Sequence, residues 1–207
     1  TSQVLRIERG ERLVVKNKWV PPPGFWISSV RGNGRLVMHR RSRCQTIDII
    51  DHPRFGRLLL LDGDLQIAEK DAHLYNRALV DPLRTVRPRR VLILGGGDGG
   101  VLYETLKLNP TEVIVVDIDR AVIAAANKYL LSVCHHAFSD RRVKVVIGDA
   151  TKYLARRHRV DAVIYDLTAF PEMLVGLKRE QFLIKILRGI RRTLMPGGQL
   201  TFQCGSA

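Results

Sequence analysis

The sequence predicts an α/β protein in which a doubly wound, mostly parallel sheet follows a small β-meander. Short apolar runs alternate with helical patterns from residue 90 onward, whereas residues 35–68 contain only short alternating runs separated by turns. A hydrophobic content of 45% in 207 residues is enough for a buried core and excludes a wholly disordered chain. This length suits one domain, or one domain with a small appendage.

The first part of the chain is predicted to hold the tail of an N-terminal domain and a linker, over residues 1–24. A hairpin pattern around Gly10 precedes Pro21-Pro22-Pro23-Gly24, a stretch too stiff for a helix or a central strand. We then expect a small β-stranded domain over 25–70 and a larger α/β domain over 71–207. The α/β domain is expected to lack its C-terminal part.

The region before residue 82 is predicted to form the β-meander and one helix. Asp71 is placed to cap that helix, and Pro82 closes it. The strands are predicted at 45–50, 57–61 and 65–68, and the helix at 72–81.

From residue 90 the chain alternates strands of the buried type with helices, which predicts a parallel sheet covered on both faces. Pro196-Gly197-Gly198 is read as the stop of the last helix. The strands are predicted at 90–94, 112–117, 143–147, 160–166 and 199–203, and the helices at 101–108, 120–131, 151–157 and 180–194.

The net charge is strongly positive. Lys and Arg number 34 against 20 Asp and Glu, which gives a formal charge of +14. The basic residues gather at 39–43, 84–90 and 156–159, a pattern typical of a solvated surface or of a nucleic-acid footprint. None of these clusters contains Phe, Trp or Tyr, so a platform for base stacking is poorly supported. Nucleic acid is therefore a disfavoured partner.

The composition also excludes several classes of protein. No apolar run reaches the roughly 18 residues of a transmembrane helix, and the polar N-terminus lacks the pattern of a signal peptide. Cys44, Cys134 and Cys204 lie far apart without a CxxC pair, so neither a disulfide framework nor a zinc site is expected. We therefore expect a cytoplasmic protein without a membrane partner or a bound metal.

Four acidic residues mark a candidate site. The glycine-rich loop Gly95-Gly96-Gly97-Asp98-Gly99-Gly100 follows one strand and opens a helix, and Asp117, Asp149 and Asp166 follow the next three strands. Ligands of open α/β sheets bind outside the carboxyl ends of the strands, so the four carboxylates are expected to face one crevice. Each residue alone could be a turn or cap residue, but the four together favour a ligand site.

Asp98 restricts which ligands the glycine loop can bind. An acidic residue in this loop repels a pyrophosphate, which argues against a nicotinamide dinucleotide. Asp117 ends the next strand, 22 residues after Gly95, where a carboxylate accepts hydrogen bonds from ribose hydroxyls. The pattern favours a nucleoside without phosphates, such as a cationic S-adenosyl sulfonium compound.

These residues resemble the aminopropyltransferases, the polyamine synthases. The resemblance covers about residues 30–204. Within the α/β region it rests on the glycine loop, on Val116-Asp117-Ile118-Asp119 and on Gly148-Asp149. Upstream, the segments 55–64, 69–71 and Leu74-Tyr75 resemble that family's β-lid and first helix. The segment Asp166-Leu167-Thr168-Ala169-Phe170-Pro171 is most similar to the spermine synthase subgroup, since spermidine synthases usually have a second Asp where Ala169 stands.

The resemblance implies a Rossmann-like fold of the S-adenosylmethionine-dependent transferase type. It also implies a reaction in which decarboxylated S-adenosylmethionine donates its aminopropyl group to a polyamine nitrogen and methylthioadenosine leaves. No metal and no permanently bound cofactor take part. The expected acceptor is spermidine, which gives spermine, and spermidine or thermospermine synthase are the alternatives. A homodimer is expected, with its interface in or near residues 1–30.

The resemblance also assigns roles to individual residues. Asp117 would hold the ribose, Asp98 the aminopropyl ammonium, and Asp166 would accept the proton or orient the attacking amine. Catalytic roles thus fall on Asp98 and Asp166. The remaining donor contacts would come from Gln45, Gly95, Gly96, Asp149 and the backbone of Ala150, and the acceptor contacts from Tyr75, Asp71, Asp98 and Asp166.

Two other functions stay open. A methyltransferase on the same fold is the first, although the Asp98 loop and the segment 166–171 argue against it. The second is a catalytically silent relative that binds nucleic acid or a partner protein through its basic surface. Since polyamines are cations, the polyamine hypothesis predicts that acidic strand ends line the crevice while the basic clusters lie on outer faces.

Overall fold

Four antiparallel strands form the first sheet, in the order β1-β2-β3-β4, and we call it the lid sheet. The computed structural model describes residues 33–156, 158–168 and 170–203, so the predicted N-terminal hairpin and linker lie outside the described residues. The meander is confirmed, and β1 is a strand that was not individually predicted. The strands are β1 (Arg35–Arg41), β2 (Thr46–His52), β3 (Gly56–Leu61) and β4 (Asp64–Ala68).

Five parallel strands form the second sheet, in the order β7-β6-β5-β8-β9. They are β5 (Arg90–Gly95), β6 (Glu112–Asp117), β7 (Val143–Ile147), β8 (Val160–Asp166) and β9 (Leu194–Phe202). The first strand of this sheet, β5, is central. β6 and β7 follow on one side of it, and β8 and β9 follow on the other, so the strand order reverses between β5 and β8. The doubly wound sheet is therefore confirmed, and the reversal is where a ligand crevice is expected.

Seven helices of the described residues join these strands. They are α1 (Ala72–Val80), α2 (Gly100–Leu106), α3 (Arg120–Tyr129), α4 (Leu131–Cys134), α5 (Ala150–Tyr153), α6 (Pro171–Leu174) and α7 (Arg179–Thr193). The helix predicted at 120–131 is interrupted at Leu130, whose φ of −118° and ψ of 40° are not helical. Helix α6 was not predicted, because four residues are too few to show helical periodicity.

The last strand starts earlier than predicted. β9 begins at Leu194, directly after α7, and includes the Pro196-Gly197-Gly198 segment that was read as a helix stop. The register against β8 shifts between Val160 and Ala162, so the extra residues form a bulge instead of ending the strand.

Buried side chains alternate between the two faces of the parallel sheet. Ile93 of β5 packs with Val101 of α2 on one face. Its neighbour Leu92 packs with Phe182 and Ile186 of α7 on the other face. Because successive strand residues point to opposite faces, a fully apolar strand such as β5 supports helices on both sides.

The lid sheet is fixed to α3. Ile47 and Leu59 of the lid sheet share an apolar cluster with Val122 of α3. Arg57 donates from Nη1 to the carbonyl oxygen of Tyr129 at the end of α3, over 2.6 Å, and a cation is favourable at that end of a helix. This attachment holds the lid sheet beside the carboxyl ends of the parallel strands.

Candidate active site

The glycine loop between β5 and α2 brings backbone close to two acidic side chains. Gly95 has a φ of +86°, and a Cβ there would lie 2.0 Å from the carbonyl oxygen of Asp166. A Cβ at Gly97 would lie 2.6 Å from Oδ2 of Asp117. Only glycine fits these two positions, so the loop can lie against the strand ends.

Four carboxylates from the ends of the parallel strands line one cavity of about 260 Å³. Asp98 belongs to the loop after β5, Asp117 ends β6, Asp149 follows β7 and Asp166 ends β8. The Oδ1 of Asp98 accepts from the amide of Gly100 at 2.8 Å. The Oδ1 of Asp149 accepts from the amide of Thr151 at 2.7 Å and caps α5. The structure therefore brings together the four carboxylates that the strand pattern singled out.

The opposite wall of the cavity comes from the lid sheet and is mainly apolar. Its polar members are Gln45, in the turn just before β2, and Gln66, in β4. The apolar members are Leu59, Leu61, Leu65 and Ile67. The cavity thus has one acidic and one apolar wall, which suits a ligand with both charged and apolar parts.

The other predicted site residues divide into two groups. Gly95, Gly96, Ala150 and Tyr75 line the cavity with the carboxylates. Asp71 is not among the described residues that line it. Asp71 is exposed at the start of α1, and its side chain forms no capping hydrogen bond, so the predicted side-chain cap is wrong. Its role as an acceptor contact stays a prediction.

Asp166 lies in a hydrogen-bond network with two other cavity residues. The hydroxyl of Tyr75 donates to Oδ1 of Asp166 over 2.5 Å and lies 2.8 Å from Oε1 of Gln203. Because a phenol has a single proton, it satisfies both acceptors only when Asp166 is protonated and donates to Tyr75 in turn. The network can therefore accommodate Asp166 in either protonation state.

Burial controls the protonation of these carboxyl groups. Burial and then the charge of Asp98 raise the pKa of Asp166 to about 7, and the hydrogen bond from Tyr75 opposes the rise. Burial raises the pKa of Asp117 to about 6, and it also raises the pKa of Asp98. A carboxyl group with a pKa near 7 can take up a proton at neutral pH, as a general base must.

Two of the three basic clusters lie far from the cavity. No Lys or Arg of the described residues lines it. The cluster at 84–90 leads into the start of β5, and Arg156 and Arg159 lead into the start of β8, so both clusters lie at the amino edge of the sheet. The cavity lies at the carboxyl edge, so these two clusters match the predicted separation of acidic and basic residues. The third cluster, at 39–43, does not match it, because it extends from β1 into the turn before Gln45, which lines the cavity.

Neither a metal site nor a membrane-spanning helix is found within the described ranges. These residues contain no group of three His, Cys, Asp or Glu arranged to hold a metal ion. Over the same ranges, no helix combines the length and the apolar character needed to cross a membrane.

Sequence reasoning missed several cavity residues, among them the polar Gln66 and Gln203. Gln203 directly follows β9, and its backbone amide donates to the carbonyl oxygen of Tyr165 in the neighbouring strand. The rule that ligands bind at the carboxyl ends of strands applies to this fifth strand as well, so its position was the available signal. No feature of the sequence predicts Gln66, because the alternation in the β-meander does not show which face of the sheet lines the cavity.

Comparison with models of known protein families identifies the family of this chain. Residues 73–207 match the spermine/spermidine synthase domain, and residues 35–69 match the spermidine synthase tetramerisation domain. The chain belongs to the spermine/spermidine synthase family. The resemblance and the Rossmann-like fold that the sequence predicted are thereby confirmed.

Curated relatives within the family are named polyamine aminopropyltransferases. One from Hyperthermus butylicus is 44% identical over 153 residues, which cover 70% of this chain and 52% of the relative. Another from Synechococcus is 36% identical over 188 residues, which cover 87% of this chain and 60% of the relative. The chain therefore spans about half to three-fifths of the length of these relatives.

Solved spermidine synthases of the family share the fold. The enzyme from Thermotoga maritima aligns with a TM-score of 0.68 and 32% identity, over 77% of this chain and 54% of that one. A spermidine synthase in complex with the transition-state analogue AdoDATO aligns with a TM-score of 0.69 and 30% identity, over 77% of this chain and 55% of that one.

Proposed function

We propose that this protein is an aminopropyltransferase that moves the aminopropyl group of decarboxylated S-adenosylmethionine to a polyamine. The observation that carries the proposal is the placement of Asp98 and Asp166 in one cavity beside the glycine loop. Two carboxylates in one site can hold two cationic groups, and this reaction joins a donor ammonium to an acceptor amine. The family membership and the names of the relatives support it.

The donor binds along the ends of β5, β6 and β7. Asp117 and Gln45 hold the ribose, and Asp149 with the backbone of Ala150 reads the adenine. Asp98 binds the aminopropyl ammonium, while the backbone of Gly95 and Gly96 makes room for the donor. A solved relative that binds the transition-state analogue AdoDATO supports a donor of this type.

Asp166 acts on the acceptor. Free alkyl amines have a pKa of about 10 and are protonated at neutral pH, so the attacking nitrogen must lose a proton. The carboxylate of Asp166 takes that proton or orients the neutral amine, and Tyr75 holds the carboxylate through its 2.5 Å hydrogen bond. The nitrogen then attacks the carbon beside the sulfonium, the carbon–sulfur bond breaks, and methylthioadenosine leaves.

Positioning of the acceptor amine against the donor supplies the rest of the rate enhancement. The sulfonium already makes the carbon electrophilic, so neither a metal nor an acid is required. Holding the amine in line with the carbon–sulfur bond can lower the barrier by about 7 kcal/mol or more. The apolar lid wall supports this by keeping water away from the reacting atoms.

Spermidine is the acceptor that we propose, with spermine as the product. Ala169 replaces the second Asp that is usual in spermidine synthases, and Ala72-His73 follows Asp71 where those enzymes tend to have an acidic and an aromatic residue. A diamine acceptor is the second candidate, since both solved neighbours are named spermidine synthases. Thermospermine is a third possible product.

Self-association and a cytoplasmic location complete the proposal. The match of residues 35–69 to a tetramerisation domain supports an oligomer of this chain, and a homodimer is the assembly that we propose. Light scattering during size-exclusion chromatography measures the mass. A 23.4 kDa monomer would contradict the oligomer, and a species of four chains would contradict the dimer.

A competition assay tests activity and acceptor together. The protein is incubated with decarboxylated S-adenosylmethionine and equal concentrations of spermidine and putrescine, and the products are separated by mass. We expect methylthioadenosine and an excess of spermine. A product from putrescine alone would refute the acceptor, and the absence of methylthioadenosine would refute the activity.

The two other functions predict different outcomes. A methyltransferase would consume intact S-adenosylmethionine, whose carboxylate Asp98 repels. A silent relative would release no methylthioadenosine but would shift duplex DNA in a salt-dependent manner. The four intact carboxylates favour the aminopropyltransferase.

A further inference from the structure

Asp119 joins the two walls of the cavity, although it is not among the described residues that line it. It is only 4% exposed. Its Oδ2 accepts hydrogen bonds from the hydroxyl of Ser42, at 2.6 Å, and from Nε2 of Gln45, at 3.2 Å. Both donors lie in the turn between β1 and β2, so one carboxylate oxygen holds the turn that presents Gln45.

We propose that Asp119 is a positioning residue that fixes the side-chain amide of Gln45 with its carbonyl oxygen toward the nucleoside ribose. The inference rests on the proposed function, because it takes the cavity ligand to be a nucleoside. A carboxylate only accepts hydrogen bonds, so the Gln45 amide turns its nitrogen toward Asp119. The Oε1 of Gln45 is then directed away from Asp119 and into the cavity that Gln45 lines.

Asp119 also contacts the second residue that we assign to the ribose. Its backbone amide donates to Oδ1 of Asp117 over 2.8 Å. Asp117 and Gln45 then present two acceptors from opposite walls of the cavity. The two ribose hydroxyls each have one proton to donate, so this arrangement matches them.

Helix capping alone does not account for these contacts. The Oδ1 of Asp119 accepts from the amide of Ala121 at 2.9 Å and caps α3, whereas Oδ2 bonds to the lid turn. Asn caps helices about as well as Asp. Asp119→Asn therefore keeps the cap but presents an NH₂ group to Gln45, whose amide must rotate and turn its own NH₂ toward the ribose.

Three variants test this geometry. Asp119→Asn should weaken adenosine binding about tenfold, because one ribose hydroxyl loses its acceptor. Adding Gln45→Glu should bring the affinity back to within about threefold of wild type, because the new carboxylate bonds to the Asn with one oxygen and to the ribose with the other. Gln45→Glu alone sets two carboxylates against each other and should bind no better than Asp119→Asn.

Isothermal titration calorimetry with adenosine and 2′,3′-dideoxyadenosine separates positioning from general damage. The loss in Asp119→Asn should appear with adenosine and disappear with the dideoxynucleoside, which has no hydroxyls to bind. A merely structural role would weaken both nucleosides equally. The control is Thr105→Val, which removes a buried 2.7 Å hydrogen bond within α2 and should lower Tm without changing either affinity.

The outcomes distinguish this inference from the proposed function. If the wild type binds no adenosine, the proposed function itself is contradicted. If the wild type binds adenosine but Asp119→Asn binds it equally well, the positioning role is overturned. Equal losses for both nucleosides, or a double variant no better than the single variants, also overturn it.

Discussion

The two walls of the cavity are built by different structural means. The acidic wall consists of side chains at the ends of parallel strands, where the sheet geometry itself brings Asp117 and Asp166 together. The lid wall consists of alternate residues of antiparallel strands, and its leucines are interchangeable in chemistry. In the proposed reaction, binding of cations and proton transfer belong to the sheet edge, whereas the lid gives the cavity its shape, excludes water and orients the ligand.

Removing the proton acceptor of the acidic wall should have the largest effect. We expect Asp166→Asn to lower kcat about 10³-fold, because the attacking amine loses its general base. The matched change in the lid wall, Leu65→Ala, should raise KM about threefold and change kcat less, since it removes apolar contact only. Steady-state release of methylthioadenosine measures both, and similar kcat losses would break the division between the walls.

The second prediction concerns the cationic end of the donor. Asp98→Asn should weaken binding of decarboxylated S-adenosylmethionine by about 10- to 100-fold, because the ammonium loses a charged, buried partner. Binding of methylthioadenosine, which lacks the ammonium, should change little. Calorimetric titration with both ligands checks this, and equal losses would show that Asp98 acts on the loop instead of the ammonium.

The third prediction concerns the support of Asp166. Tyr75→Phe removes the 2.5 Å hydrogen bond, which holds the pKa of Asp166 down. We expect about a tenfold lower kcat, and the acid limb of the pH–rate profile should move to higher pH. A lower rate with an unmoved acid limb would mean that Tyr75 only shapes the channel.

The smallest effect should be on stability. The pKa of Asp166 is about 7 in the folded state and 3.8 in the unfolded reference, so the folded protein binds more protons between these values. The contribution of Asp166 to the free energy of unfolding therefore falls as the pH rises from about 4 to about 7. Asp166→Asn should raise Tm relative to wild type more at pH 8 than at pH 5. Calorimetric scans at both pH values check this, and an equal difference would contradict the raised pKa.

The acidic wall could be predicted from the sequence because one rule places it. Apolar runs with period and length typical of buried strands locate β5, β6 and β8, and any acidic residue that follows such a run lies at the carboxyl edge. Asp98, Asp117 and Asp166 follow from that rule, and Asp149 follows the shorter apolar run at 143–147.

The lid wall could not be predicted in the same way. Alternation shows that Leu59 and Leu61 share a face, but it does not show that this face meets the cavity. Gln45 came from family resemblance, and the contact between Asp119 and Ser42 joins positions 77 residues apart. The bulge at Pro196–Gly198 was missed because proline and glycine end helices more often than they interrupt edge strands.

A mass balance of the products tests aminopropyl transfer at the acidic wall. The wild-type protein is given spermidine with either decarboxylated or intact S-adenosylmethionine, and the nucleoside and amine products are quantified together. We expect equimolar methylthioadenosine and aminopropylated amine from the decarboxylated donor, and almost none of either from the intact donor. A methylated product with S-adenosylhomocysteine, or no methylthioadenosine at all, would contradict it.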